Sequence, residues 1–264
     1  MEKTIFKHKV SKGSRYNQVY IPTELKEHFQ PGDLVEVRLL KKESVIHYSP
    51  NLEKLEGYRE DLVKKILFFL SNYKKVKQVF VIGSFLTKKG KWNDIDILVI
   101  SEEISEEEIH NHLVDKFGFV FHVIVISQES FNKLEKICPL TRSMLHYFCS
   151  NKEYHLPKER ILDKKHINFL LMLPEDLLEI NLKGRVFYDC IRRLITIDRF
   201  LQEKDESIKL IDEELKKLLG DKLFINLSEM ELIEEGLLKD LRKIIKEKLL
   251  KIGRLLNVKE STNK

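Results

Sequence analysis

The sequence predicts an α+β chain of several modules: a small β-rich N-terminal module, a mixed α/β domain, and a C-terminal α-helical bundle. Three observations lead there. Residues 1–48 are short alternating stretches cut by turn residues. Residues 51–155 alternate helical apolar spacing with continuous apolar runs, the pattern of a mixed sheet covered by helices. From 160 to 258 a 3.6-residue apolar spacing dominates.

In the first module, Thr4 to Val10 partly alternates and ends at the turn signal Ser11-Lys12-Gly13-Ser14. Val19-Tyr20-Ile21-Pro22 is a brief strand stopped by proline. Thr23 is placed to cap a short helix over Glu24 to Phe29, with Glu24 to Glu27 in its first turn. Pro31-Gly32-Asp33 makes a turn, and Leu34 to Leu40 alternates as a strand.

The middle region opens with Leu52, Leu55, Leu62, Val63, Ile66, Leu67 and Leu70, spaced for an amphipathic helix. Glu106 to Phe117 is a second helix, and the apolar run Phe119 to Ile126 around His122 reads as a central strand. In the last region Asp163 caps a helix through Leu171, and Pro174 restarts the next. Helices over Arg185 to Leu201, Ile208 to Leu219 and Ser228 to Leu256 follow, with a break at Gly220-Asp221 and a capping box at Ser228-Glu229-Met230-Glu231.

Composition narrows the class of protein. At 264 residues, 34% charged and 42% hydrophobic, the chain suits a folded protein of two or three small domains. No apolar run approaches the ~20 residues that span a bilayer, so no membrane partner is expected. Met-Glu-Lys-Thr-Ile-Phe-Lys lacks the apolar core of a secretion signal. Cys138, Cys149 and Cys190 have no metal-ligand spacing, which with the odd count predicts reduced thiols and a cytoplasmic location. A net charge of +5 permits nucleic-acid contact without requiring it.

The stretch from Val79 to Ile100 carries the chemistry. An apolar run ends in Gly83-Ser84, a Lys-rich segment follows, and a second apolar run holds Asp94 and Asp96. Alternate residues of a strand share a face, so both carboxylates project one way while Ile95 and Ile97 enter the core. Two adjacent anions on an apolar strand call for a cation between them. Mg²⁺ (or Mn²⁺) suits, because it takes carboxylate oxygens together with substrate phosphates and waters. Gly83 leaves room for close backbone approach, and a helix starting near Phe85 would aim N–H groups at a phosphate. Lys88, Lys89 and Lys91 are available to a triphosphate, although three loop lysines are as well explained by solvation.

Ile82-Gly83-Ser84, nine residues, then Asp94-Ile95-Asp96-Ile97 resembles the signature of the DNA polymerase β-like nucleotidyltransferases, above all the minimal ones. The resemblance implies a nucleotidyltransferase domain over 51–155, with a helical domain (160–258) behind it. It implies transfer of a nucleoside monophosphate from an NTP to a hydroxyl on protein, RNA or a small molecule. Asp94 and Asp96 would hold the metal and act in catalysis, and Gly83 and Ser84 would bind the nucleotide. The family's third carboxylate is not found on Phe119 to Ile126, where His122 stands instead. Three readings stay open: His122 as base or ligand, an acid elsewhere such as Glu129, or nucleotide binding without turnover. A lone His in an apolar strand is expected in the core.

Residues 1–48 resemble the swapped-hairpin DNA-binding fold of the AbrB type. The matching residues are Lys12-Gly13-Ser14-Arg15, Val19-Tyr20-Ile21-Pro22, Glu24 to His28 and Gly32-Asp33-Leu34-Val35-Glu36-Val37. That resemblance implies a homodimer and duplex DNA contact through Arg15, or dimerisation alone. The competing function is therefore a non-catalytic dimeric DNA-binding transcriptional regulator that uses the transferase fold as a nucleotide sensor. Arg192 and Arg193 lie near Asp189 and Asp198 and read as helix ion pairs or cleft cations, while Arg160 and His166 read as a chance pair.

Overall fold

The computed structural model describes residues 5–38, 45–87, 92–227, 230 and 232–262, with side chains to 258. It is α+β: among the described residues there are nine α-helices, a two-stranded antiparallel sheet and a five-stranded mixed sheet. Contacts divide the chain into two compact units, Met1–Glu43 and Ser44–Lys264.

In the first unit β1 (Ser11–Lys12) pairs antiparallel with β2 (Asn17–Gln18). The Gly13 N–H donates to the Tyr16 carbonyl at 3.0 Å. A Cβ on Gly13 would lie 2.5 Å from that oxygen, so the turn requires glycine. Elsewhere this unit is less regular than its sequence suggests. Ile5 to Val10, Val19 to Pro22 and Leu34 to Arg38 form no strand; Thr4, Leu39 and Leu40 lie outside the described residues. The helix expected over Glu24 to Phe29 is one 3₁₀ turn, Thr23–Leu25, and no side chain caps it. The reason is burial: no residue from 5 to 38 is buried, and Leu34, Val35 and Val37 stand exposed. A strand persists only where a neighbour pairs its backbone and covers its apolar side.

The second unit begins with β3 (His47–Tyr48), α1 (Tyr58–Ser71), β4 (Val76–Ile82), β5 (Ile95–Ser101), α2 (Glu106–Phe117) and β6 (Phe121–Ile126). Then come α3 (Gln128–Ile137), α4 (Pro139–Met144) and β7 (Cys149–Ser150). The sheet order is β3-β7-β4-β5-β6, and only β5 and β6 run parallel. β6 is thus an edge strand, not the central one its apolar run suggested. Alternation divides the sheet cleanly. Ile95, Ile97 and Val99 pack with Leu62, Ile66, Ile109 and Leu113 of α1 and α2. Leu98 and Ile100 pack on the other face with Phe80, Ile82, Phe131 and Phe148. Asp96 belongs to this second face. The α2 bounds match the sequence expectation because both caps are local: the Ser105 hydroxyl accepts from the Glu108 N–H, and Gly118 ends the helix at φ +70°.

The rest is helical: α5 (Lys164–Asp176), α6 (Gly184–Leu201), α7 (Ile208–Leu219), α8 (Asp221–Leu227) and α9 (Glu235–Thr262). Their core centres on α6, with Ile191, Leu194 and Ile195 packed against Leu241, Ile245 and Ile252 of α9. Asp163 caps α5 by accepting the His166 N–H at 3.0 Å, as expected. Pro174 does not restart a helix but sits inside α5. A proline there removes the N–H that would meet the Leu170 carbonyl, and Arg193 Nη1 donates to that carbonyl at 3.4 Å instead. Gly220 ends α7 at φ +78°. The capping box falls largely on Ser228, Glu229 and Glu231, outside the described residues; Asp221 to Leu227 is a separate short helix before α9. Asp198 fastens α9 to α6, meeting Lys251 at 2.6 Å and Lys248 at 3.4 Å.

Candidate functional site

The two halves of the Gly-Ser and Asp-x-Asp pattern meet at one end of the sheet. In the antiparallel β4–β5 ladder Ile82 lies opposite Asp96. Gly83 follows at φ +82°, and a Cβ on it would sit 1.9 Å from Asp96 Oδ2 and 2.8 Å from Cγ. Any side chain at position 83 would collide with the carboxylate, so the glycine is required both by its backbone angle and by the acid it faces. The glycine and the aspartate are one feature.

Ser84 is exposed and opens a 3₁₀ turn, Ser84–Leu86, not the helix expected near Phe85. The turn closes with Leu86 N–H to the Gly83 carbonyl at 3.3 Å and Thr87 N–H to the Ser84 carbonyl at 3.0 Å. It is too short to carry a helix dipole, so the expected anion site at a helix N-terminus is absent. Buried Phe85 and Leu86 anchor it instead. Arg59 adds a bond to the Thr87 carbonyl at 2.5 Å, its guanidinium carbon 5.8 Å from the Phe85 ring centre. Lys88, Lys89 and Lys91 lie outside the described residues.

Asp94 and Asp96 are half-buried. Burial pushes the Asp96 carboxyl up, the His122 hydrogen bond draws it down, and the Asp94 charge pushes it up again; the net shift is upward. His122 is the largest departure from expectation. Its side chain is 59% exposed, not in the core: it stands near the start of an edge strand, on the face whose later residues Ile124 and Ile126 pack on the second core. In the parallel β5–β6 register Asp96 and His122 are direct neighbours, with His122 Nδ1 2.9 Å from Asp96 Oδ1. An ionised carboxylate only accepts, so Nδ1 carries the proton of this bond.

Glu129, the other acid considered, is exposed in the first turn of α3, after the opposite end of β6 from His122. Arg15 is exposed and belongs to the other compact unit. Arg192 faces Asp212 at 3.8 Å, Arg185 pairs with Asp189 at 2.9 Å, and Arg193 is bound to α5, so the bundle itself engages these cations.

Among the described residues no group of three or more His, Cys, Asp or Glu gathers in metal-holding geometry. The candidate cation site is the carboxylate pair alone. Its donors are oxygens, which suits Mg²⁺ or Mn²⁺ retaining several waters.

One buried polar cluster gave no sequence signal. Glu206, with 0% of its side chain exposed, accepts from Arg160 Nε at 2.9 Å and Nη2 at 3.0 Å. Arg142 Nε lies 3.4 Å and His146 Nε2 3.6 Å from the same carboxylate. Arg160 is thus engaged by Glu206, while the backbone of His166 is engaged by Asp163. The contributing residues span positions 142 to 206, so no local spacing could have disclosed the cluster.

Among the described residues no helix is long and apolar enough to cross a membrane. No protein-family model matches the sequence, and comparison with curated proteins finds no match either.

Proposed function

We propose that this protein is a metal-dependent nucleotidyltransferase that moves a nucleoside monophosphate from an NTP to a hydroxyl acceptor. The observation that carries the reading is the contact of Asp96 with Gly83, which ties the Gly-Ser turn to the acidic strand at one sheet end. Asp94 and Asp96 would hold Mg²⁺ or Mn²⁺. Bound there, the cation would neutralise phosphate charge and polarise the transferred phosphorus. Ser84, exposed on its turn, is available to a phosphate oxygen through its hydroxyl. Arg59 holds the turn's backbone through the Thr87 carbonyl.

The test is incubation with each α-labelled NTP and Mg²⁺, with and without cellular RNA and protein, which identifies activity and acceptor class together. Asp94→Asn with Asp96→Asn should abolish Mg²⁺-dependent NTP binding while the protein stays folded. A double variant that binds nucleotide like the parent would refute the assignment.

A second reading is nucleotide binding without turnover, serving a dimeric DNA-binding regulator of the AbrB type. Its support is His122, which stands across from Asp96 where a third acid would serve chemistry. Tight NTP binding with no labelled product from any acceptor would favour it.

Dimerisation belongs to both readings. With no buried residue between 5 and 38, the N-terminal unit exposes Tyr20, Ile21, Leu34 and Val37 for a second copy to cover. Deleting residues 1–43, the first compact unit, should turn a dimer into a monomer by light scattering while β3 stays in its sheet; a monomeric full-length chain at micromolar concentration would remove the swapped-hairpin reading. DNA contact through Arg15 predicts salt-sensitive retardation of duplex DNA, weakened by Arg15→Ala.

A further inference from the structure

We propose that His122 is the positioning residue of the cation site: its Nδ1–H fixes the Asp96 carboxylate in the orientation that receives the metal. This rests on the cation-site reading above and deepens it. The geometry restrains the carboxylate from two sides. Oδ1 accepts from His122 at 2.9 Å, and Oδ2 lies so close to Gly83 that a Cβ there would be 1.9 Å away. Rotation of the carboxylate plane would break the first contact or drive an oxygen into the turn. The strand register fixes the donor as well, because Asp96 and His122 are paired residues of a parallel ladder with side chains on the same face.

A third carboxylate at position 122 would repel Asp96, whereas an imidazole N–H attracts it. The arrangement matches the general rule that outer hydrogen bonds orient the ligands of a metal and set its affinity. A carboxylate already held in place loses little freedom when the ion binds. The ring is solvent-exposed on an edge strand, so replacing it removes the hydrogen bond without opening a cavity.

The test is direct Mn²⁺ binding, read by electron paramagnetic resonance on the full chain without nucleotide. His122→Leu should weaken Mn²⁺ binding by about 10–100-fold. His122→Asn restores an N–H donor at the Nδ1 position and should bind within about threefold of the parent. Melting temperature is recorded for both variants and should not change. Parent-like binding by His122→Leu would overturn the proposal while leaving the carboxylate site intact. An Asn variant as weak as the Leu variant would also overturn it, since the imidazole itself would then be needed. A parent chain that binds no Mn²⁺ would refute the cation site and the proposal with it.

Discussion

Asp96 and Glu206 are both withdrawn from water and both face a histidine, yet their surroundings drive them in opposite directions. Burial pushes the Glu206 carboxyl up, but His146, Arg160 and Arg142 outweigh it and hold it at about 2. For Asp96, burial and the Asp94 charge outweigh His122, and the carboxyl moves up. Glu206 is saturated with cations belonging to the fold. Asp96 is short of one. The difference separates an acid whose counter-charge is built into the fold from one that burial and a neighbouring anion leave uncompensated.

The largest expected effect is on stability. Removing one partner of a buried ion cluster leaves the others uncompensated, so Glu206→Gln should cost about 3–5 kcal/mol in urea unfolding. Arg142 would suffer most, being only 3% exposed and carrying a guanidinium that also donates to the carbonyls of Glu135, Pro157 and Glu159. Asp96→Asn should leave the unfolding midpoint unchanged or higher, because it removes a charge that the fold disfavours. Equal losses for the two variants would erase the contrast.

pH dependence should show opposite signs. The depressed Glu206 carboxyl contributes stability that is complete above its ordinary value of 4.5 and is lost as pH falls toward about 2. The deficit of Glu206→Gln should therefore close over that window. The raised Asp96 carboxyl holds its proton in the fold where the unfolded chain has released it. Stability is thus lost as pH rises from its ordinary value of 3.8 through its raised one. The advantage of Asp96→Asn should open over that rise, measured by denaturant unfolding at fixed pH steps.

The smallest effect compares the two histidines. His146, 13% exposed between Glu206 and Asn51, should cost roughly 1–2 kcal/mol as His146→Leu through the polar partners it leaves. His122→Leu should cost no more than about 0.5 kcal/mol by the same measurement, in keeping with an exposed position. A large loss at His122 would make it a structural residue after all.

Much of the second unit was legible in the sequence because its signals are local. The bounds of α2 and α7 follow from Ser105, Gly118 and Gly220 acting on their own neighbours, and Asp163 caps α5 across three residues. Strand alternation predicts a shared face for Asp94 and Asp96, but β5 begins at Ile95, so Asp94 precedes the strand. The first unit reads more regular than it is: among the described residues its alternating stretches Ile5 to Val10 and Leu34 to Arg38 pair with no strand and bury no side chain.

By itself, then, the sequence determined the α+β class, the helices with their own caps, and the placing of two carboxylates beyond a Gly-Ser turn. Tertiary structure decided the rest. It put β6 at the edge, exposed His122 to solvent and bonded it to Asp96, set Asp96 against Gly83, and gathered Glu206 with Arg142, His146 and Arg160. Each of these depends on which strands and helices become neighbours. Periodicity reports how one element faces its core, but it carries no information about the element packed beside it.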